Sequence, residues 1–139
     1  MPVEVIDKIL SKIGKKVNFK YPGDEGKKQG ILIDRAVFES NYVGEVPYWD
    51  VVDLIEFEGE PELEFIRITY YRKKPGKHLN FSGQTSITEP ISVWRKMLVS
   101  VAREKKWFRG LLQDVVSDLE NFSNSKQQRA CPTQSIQRK

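Results

Sequence analysis

The side chains that most often carry catalysis or bind metals are scarce in this sequence. Among its 139 residues there is one histidine, His78, and one cysteine, Cys131. One histidine cannot form a metal cluster alone, and the Cys and His spacings of zinc sites are absent. The motifs GxSxG and HExxH are absent as well. The sequence therefore predicts a non-enzymatic protein with no catalytic residue, no metal site and no cofactor; an enzyme that pairs His78 with Glu89 is the weakest alternative.

Short polar side chains surround His78 between Gly76 and Pro90. The last three residues of this run, Thr88–Pro90, are typical of a helix start, because threonine caps, glutamate favours the positive end of the helix dipole, and proline suits the first turn. The remaining uncharged residues could satisfy backbone groups at a junction or bind a ligand: Asn80, Ser82, Gln84, Thr85 and Ser86. The junction is the favoured interpretation.

Basic residues form three groups, and aromatic residues accompany two of them. The first group surrounds the junction between the first predicted helix and strand and the turn that follows: Lys12, Lys15, Lys16, Lys20, Lys27 and Lys28. The second follows the fourth predicted strand, near Tyr70, Tyr71 and Phe81: Arg72, Lys73, Lys74 and Lys77. The third lies near Trp107 in the C-terminal helical region: Arg103, Lys105, Lys106 and Arg109.

Basic loops beside aromatic rings on a small barrel commonly hold single-stranded nucleic acid through phosphate contacts and base stacking. We therefore predict a module that binds DNA or RNA, with Tyr71 and Trp107 as stacking candidates. The predicted phosphate contacts are Arg72, Lys73, Lys74, Lys77, Lys27 and Lys28. The alternative is that the second basic group is only the solvated end of a hairpin.

The distribution of charge limits this prediction. The chain has 23 Lys and Arg against 19 Asp and Glu, a formal net charge of +4. Residues 123–139 hold four of the basic residues and no acidic one, so residues 1–122 are formally neutral. The composition of residues 123–139 predicts a disordered basic tail.

The periodicity of the apolar residues predicts one α+β domain over residues 1–122. A period near 3.6 indicates a short helix over residues 1–14, and alternation indicates a meander of about five strands over residues 16–88. The stretch 16–35 resembles in rhythm the opening strands of SH3-like or Tudor-like barrels, although it carries no functional residue of those families. The expected architecture is a small bent antiparallel sheet or an SH3-like barrel, followed by helical residues 90–122.

The connection between the third and fourth strands predicts their register. Gly59–Pro61 is short enough for a hairpin, and symmetry about Glu60 places Asp53 opposite Arg67. The apolar positions of the fourth strand change phase near Phe65 and Ile66, which predicts a bulge or a sharp bend there.

Apolar residues recur at alternating steps of three and four from Ile91 to Phe122, with Lys105 as the one exception. This pattern favours one long helix, straight or kinked, over two helices. An unbroken helix would extend beyond a small barrel, which suggests a homodimer or another protein partner. The predicted interface is Phe108, Leu112, Val115, Leu119 and Phe122. No apolar run is long enough for a membrane span and the first residues do not resemble a signal peptide, so we expect no membrane partner and a cytoplasmic location.

Overall fold

Three helices and five strands make up the part of the chain that the computed structural model describes, residues 2–20, 27–40, 47–82 and 86–129. The helices are α1 (Pro2–Leu10), α2 (Ile91–Glu104) and α3 (Lys106–Arg129). The strands are β1 (Lys16–Lys20), β2 (Lys27–Ser40), β3 (Tyr48–Phe57), β4 (Phe65–Lys73) and β5 (Leu79–Ser82). The predicted α+β class, with a short first helix and C-terminal helices, is confirmed.

The five strands form one antiparallel sheet in the order β1-β2-β3-β4-β5, curled into a half-barrel. Of the two predicted alternatives, the bent sheet is therefore the one observed. Asp53 pairs with Arg67 in the ladder between β3 and β4, as the hairpin symmetry predicts. That ladder continues from Tyr48 and Arg72 to Ile55 and Phe65 without a register shift, so of the two predicted alternatives the bulge at Phe65 and Ile66 is wrong and the sharp bend stays a prediction.

The bulge lies instead in β2. Leu32 pairs with Ile55 while Asp34 pairs with Leu54, so Ile33 is an extra residue that points into solvent. Because side chains alternate between faces of a strand, this one-residue insertion places Leu32 and Arg35 on the same face of the sheet. The bulge thereby directs the Arg35 side chain toward the concave face of the half-barrel.

Two apolar clusters cover the ends of this concave face. At one end, Ile9 of α1 packs against Trp49, Val51 and Tyr71. At the other end, Leu32, Ile55 and Phe57 pack together with Val17 and Phe65. Burial of these apolar side chains is the main source of stability for the sheet and for the attachment of α1.

The turn after α1 is fixed to β2 by backbone hydrogen bonds. Gly14 has a positive φ of 90°, a conformation that ends a helix at little cost only for glycine. The N–H of Gly14 donates to the carbonyl oxygen of Leu32 at 2.6 Å. The N–H of Leu32 in turn donates to the carbonyl oxygen of Lys15 at 2.9 Å. The helix predicted over residues 1–14 therefore ends at Leu10, and the residues after it form an anchored turn.

The chain divides into two compact units, Met1–Val101 and Ala102–Lys139. The helical conformation is interrupted for one residue at Lys105, so two helices replace the favoured single one. Lys105 is also the one residue that interrupts the apolar series. Since α3 continues to Arg129, the tail boundary placed at residue 122 falls inside a helix. One domain over residues 1–122 stays a prediction, and Cys131 lies outside the described residues.

Candidate functional site

A buried ion network occupies the middle of the concave face, between the two apolar clusters. The carboxylate of Asp53 accepts hydrogen bonds from Nε and Nη2 of Arg35 at 2.7 and 3.0 Å. It also accepts from Nε and Nη2 of Arg67 at 3.1 and 2.8 Å. One carboxylate therefore binds two guanidinium groups, and the network keeps a net positive charge.

The Arg35 guanidinium joins four elements of the first unit. Besides binding Asp53 of β3, its Nη1 donates to the carbonyl oxygen of Ile9 in α1 at 3.0 Å and to the hydroxyl oxygen of Tyr71 in β4 at 2.9 Å. Burial by itself would lower the pKa of Arg35, but the hydrogen bond and the charge of Asp53, with a smaller contribution from Tyr71, raise that pKa above its usual value. Arg35 is therefore cationic at every pH at which the protein is folded.

A cleft of about 400 Å³ opens above this network on the concave face. We call it the basic cleft, because six cationic side chains line it: Lys8, Lys12, Lys15, Lys16, Arg35 and Arg67. None of the other described residues that line it is acidic: Val17, Asn18, Leu32, Tyr71, Leu79 and Phe81. Within the described part of the chain, none of the four lysines forms an ion pair.

Two aromatic rings form one wall of the basic cleft. The rings of Tyr71 and Phe81 lie 5.0 Å apart and are tilted by 49°. The Arg67 guanidinium lies 5.1 Å from the centre of the Phe81 ring, and that of Arg35 lies 5.3 Å from the Tyr71 ring, both typical cation–π distances. Phe81 is 44% exposed, so part of its ring is accessible for stacking against a planar group.

The structure brings together only part of the site predicted from the sequence. Tyr71 lines the basic cleft, and so do Lys12, Lys15 and Lys16 of the first basic group, which the prediction did not assign to binding. Lys8 was missed altogether, although its spacing of four residues from Lys12 was a signal for one shared helix face.

The other predicted contacts lie away from the basic cleft or outside the described side chains. Arg72 projects from the opposite face of β4, one residue after Tyr71, whereas Lys74 and Lys77 lie in the exposed turn before β5. Lys73 is the last residue of β4. Trp107 packs edge-to-face on Phe108, with ring centres 6.1 Å apart, in the second unit. For Lys27 and Lys28 only the backbone pairing with β1 is described.

The predicted interface residues differ in their exposure. Phe108 is only 2% exposed and offers almost no surface to a partner, while Leu112 is half-buried. Val115, Leu119 and Phe122 are exposed along α3. Only these last three present an apolar surface.

A second polar contact connects the sheet to the segment before α2. Asp50 is 1% exposed on the face opposite the basic cleft, and its side chain shares a hydrogen bond with Glu89. The junction interpretation of the polar run around His78 stays a prediction, and Gln84 and Thr85 lie outside the described residues. Two carboxyl groups form a hydrogen bond only when one of them is protonated. Burial, followed by the hydrogen bond and the charge of Glu89, raises the pKa of Asp50 to about 7.

This pair predicts an unusual dependence of stability on pH. Because folding raises the pKa of Asp50 from 3.8 to about 7, the folded state binds the proton more tightly. The resulting stabilisation is complete below the unfolded pKa and is lost as the pH rises through about 7. Urea denaturation at about pH 4.5 and at about pH 7.5 measures this loss. Between these two values we expect the free energy of unfolding of the parent to fall by on the order of 3 kcal/mol more than that of Asp50→Asn, because asparagine does not titrate. Parallel pH profiles for the two proteins would contradict the shared proton.

The chain matches no protein family model, and no curated protein and no solved structure is significantly similar to it. Its function must therefore be inferred from the fold and from the site. Together these define a class by architecture: a small α+β half-barrel with a basic cleft on its concave face.

Two properties of the described residues bear on the function. No helix among them is long and apolar enough to cross a membrane. No group of three or more His, Cys, Asp and Glu side chains in the same residues could hold a metal ion. The cytoplasmic location stays a prediction.

Proposed function

We propose that this protein binds single-stranded nucleic acid in the basic cleft of the half-barrel. The observation that carries the proposal is the separation of charge: of the residues that the structure describes, six cationic side chains and no acidic one line a single cleft, although residues 1–122 are formally neutral. Such a concentration of positive charge favours a polyanion, since each phosphate contact releases condensed counterions.

The four lysines supply the attraction that a polyanion needs. They lie on α1, on the anchored turn and at the start of β1, and none forms an ion pair within the described part of the chain. Their ammonium groups can therefore contact phosphates without first breaking a bond to a carboxylate. The charges of Arg35 and Arg67, by contrast, are partly neutralised by Asp53, so these two residues shape the floor of the cleft.

The size and the aromatic wall of the cleft favour a single strand over a duplex. About 400 Å³ lies within the range of small-molecule sites and is far too little for a double helix. Bases of a single strand are free to stack on an exposed ring, which is how many sequence-tolerant proteins hold them. Phe81 offers such a ring at the edge of the cleft.

A salt titration tests this function. The full chain is titrated against a fluorescent single-stranded DNA or RNA of about 12 nucleotides and against the matching duplex. We expect the single strand to bind more tightly, and its log K to fall linearly with log salt between about 50 and 200 mM, with a slope near −3 for four phosphate contacts. Equal binding of the duplex, or the absence of salt-dependent binding, would contradict the proposal.

The exposed apolar residues of α3 support a second proposal, a homodimer formed through this helix. Val115, Leu119 and Phe122 follow the three-and-four spacing of a helix–helix seam, and Leu119 is 59% exposed. Light scattering of the full chain at increasing concentration should show a dimer mass that Leu119→Glu abolishes. A parent that stays monomeric at every concentration would exclude it.

A further inference from the structure

The hydroxyl group of Tyr71 is a hydrogen-bond donor that no described residue uses as a donor. Tyr71 is 7% exposed, and its side chain lines the basic cleft. Its oxygen accepts a hydrogen bond from Nη1 of Arg35 at 2.9 Å, and within the described residues this is the one hydrogen bond of that group. Its proton therefore has no acceptor there, which is costly for a buried group. An acceptor on a bound ligand would remove that cost.

The contact with Arg35 also strengthens this donor. A hydroxyl that accepts from a cationic guanidinium is polarised, so it donates a stronger hydrogen bond through its own proton. Such a donor at the floor of a cationic cleft selects for an anionic oxygen over a neutral carbonyl.

The walls of the cleft limit how a ligand can reach this floor. Lys8 and Lys12 line it from α1 and the turn after that helix, Val17 from β1 and Phe81 from β5, while Tyr71 lies on β4 between the sheet edges. The terminal group of a nucleic-acid strand can enter such a space from one side, because no further part of the strand has to leave on the other side. An internal phosphodiester must bring neighbours on both sides to the floor of a cleft of about 400 Å³, whereas a terminal phosphate brings a neighbour on one side only.

The charge of the cleft fits the end of a strand as well. A terminal phosphomonoester carries a charge of about −1.5 to −2 at neutral pH and three terminal oxygens that accept hydrogen bonds. An internal phosphodiester carries a single negative charge and two such oxygens. Four ammonium groups without an ion pair and one hydroxyl donor without an acceptor, both judged among the described residues, match the phosphomonoester better.

We propose that the basic cleft binds the terminal phosphomonoester of a single strand, with the Tyr71 hydroxyl donating to one phosphate oxygen. This inference rests on the proposed function, and it narrows the ligand from a single strand in general to the phosphorylated end of a single strand. Lys12 and Lys15 neutralise the phosphate, and Phe81 stacks on the terminal base.

Three oligonucleotides of one sequence test the inference on the full chain. One carries a 5′-phosphate, one a 3′-phosphate and one no terminal phosphate. We expect one phosphorylated end to bind about tenfold more tightly than the unphosphorylated strand, the contribution of a hydrogen bond to a charged group. Inorganic phosphate and a nucleoside monophosphate, added as competitors, show whether the phosphate alone or the attached nucleoside is recognised.

Tyr71→Phe removes the hydroxyl and keeps the ring. We expect it to abolish the preference for the phosphorylated end, which is read as the ratio of the affinities of the phosphorylated and unphosphorylated strands for the same variant. Tyr70→Phe is the matched control, because Tyr70 is half-buried on the opposite face of β4 and should keep the preference.

The outcomes separate this inference from the proposed function. Equal, salt-dependent binding of all three strands by the parent overturns the inference and leaves nucleic-acid binding intact. If no strand binds, both fail. The parent alone decides whether the terminal phosphate is recognised, and a folded Tyr71→Phe variant that keeps the preference overturns the role of the hydroxyl.

Discussion

Replacement of Asp53 by alanine is expected to lower the free energy of unfolding by about 3–5 kcal/mol. The carboxylate of Asp53 is fully buried and is the partner of both Arg35 and Arg67. Its removal leaves two guanidinium groups next to each other on the concave face, one of them buried. The cost of an uncompensated buried charge exceeds that of most surface substitutions. Urea denaturation followed by tryptophan fluorescence measures the loss.

Two variants control this prediction. Glu62→Ala removes an exposed carboxylate from the turn before β4 and should change stability by less than about 0.5 kcal/mol. A triple variant, Arg35→Met with Asp53→Leu and Arg67→Met, removes the whole network and should cost less than Asp53→Ala alone. A loss of under about 1 kcal/mol for Asp53→Ala would show that the network does not hold the concave face together.

The double variant Lys12→Glu and Lys15→Glu is expected to weaken single-strand binding on the order of 100-fold at low salt. Each substitution removes a phosphate contact and adds repulsion in the basic cleft. The slope of log K against log salt should become less negative by at least about 1.4, since each lost contact contributes about 0.7 for a single strand. Fluorescence anisotropy over a salt series measures both quantities.

The double variant Lys74→Glu and Lys77→Glu changes the net charge equally and tests the location predicted from the sequence. Both residues lie in the exposed turn between β4 and β5. We expect the affinity for the single strand to change by less than about threefold, because these charges act on the strand only through the long-range electrostatic field. The basic cleft is the wrong location if this variant has the larger effect.

Much of the fold follows from local sequence patterns. Alternation of apolar residues identifies the five strands, and the short connection at Gly59 identifies the pairing of Asp53 with Arg67, because hairpin length fixes register. The helix break at Lys105 coincides with the one polar residue of the apolar series. The sequence contains no capping residue there to show that the interruption ends a helix.

The basic cleft could not be predicted from local patterns, since it depends on two tertiary features. One is the bulge at Ile33, which places Arg35 on the concave face; it lies in the continuous apolar run 31–33, where no alternation shows which residue is the extra one. The other is the choice of the sheet face that α1 covers, which decides whether Lys8 and Lys12 meet Tyr71 or point away from it. Tyr71 could be singled out from the sequence because tyrosines beside basic residues are visible there; it lines the basic cleft, and its role in stacking stays a prediction.

The pairing of Asp50 with Glu89 illustrates the same limit. The sequence places Glu89 at a helix start, where a carboxylate is favourable by itself. Its contact with a carboxyl group on β3 appears only when the chain is folded.

Lysine footprinting shows most directly whether the basic cleft holds the strand. The full chain is acetylated briefly with and without a single-stranded oligonucleotide, and each lysine is quantified by peptide mass spectrometry. We predict that the strand protects Lys8, Lys12, Lys15 and Lys16, while Lys74, Lys77 and Lys106 react equally in both samples. Protection confined to Lys74 and Lys77, or equal acetylation of all lysines with and without the strand, would contradict binding in the basic cleft.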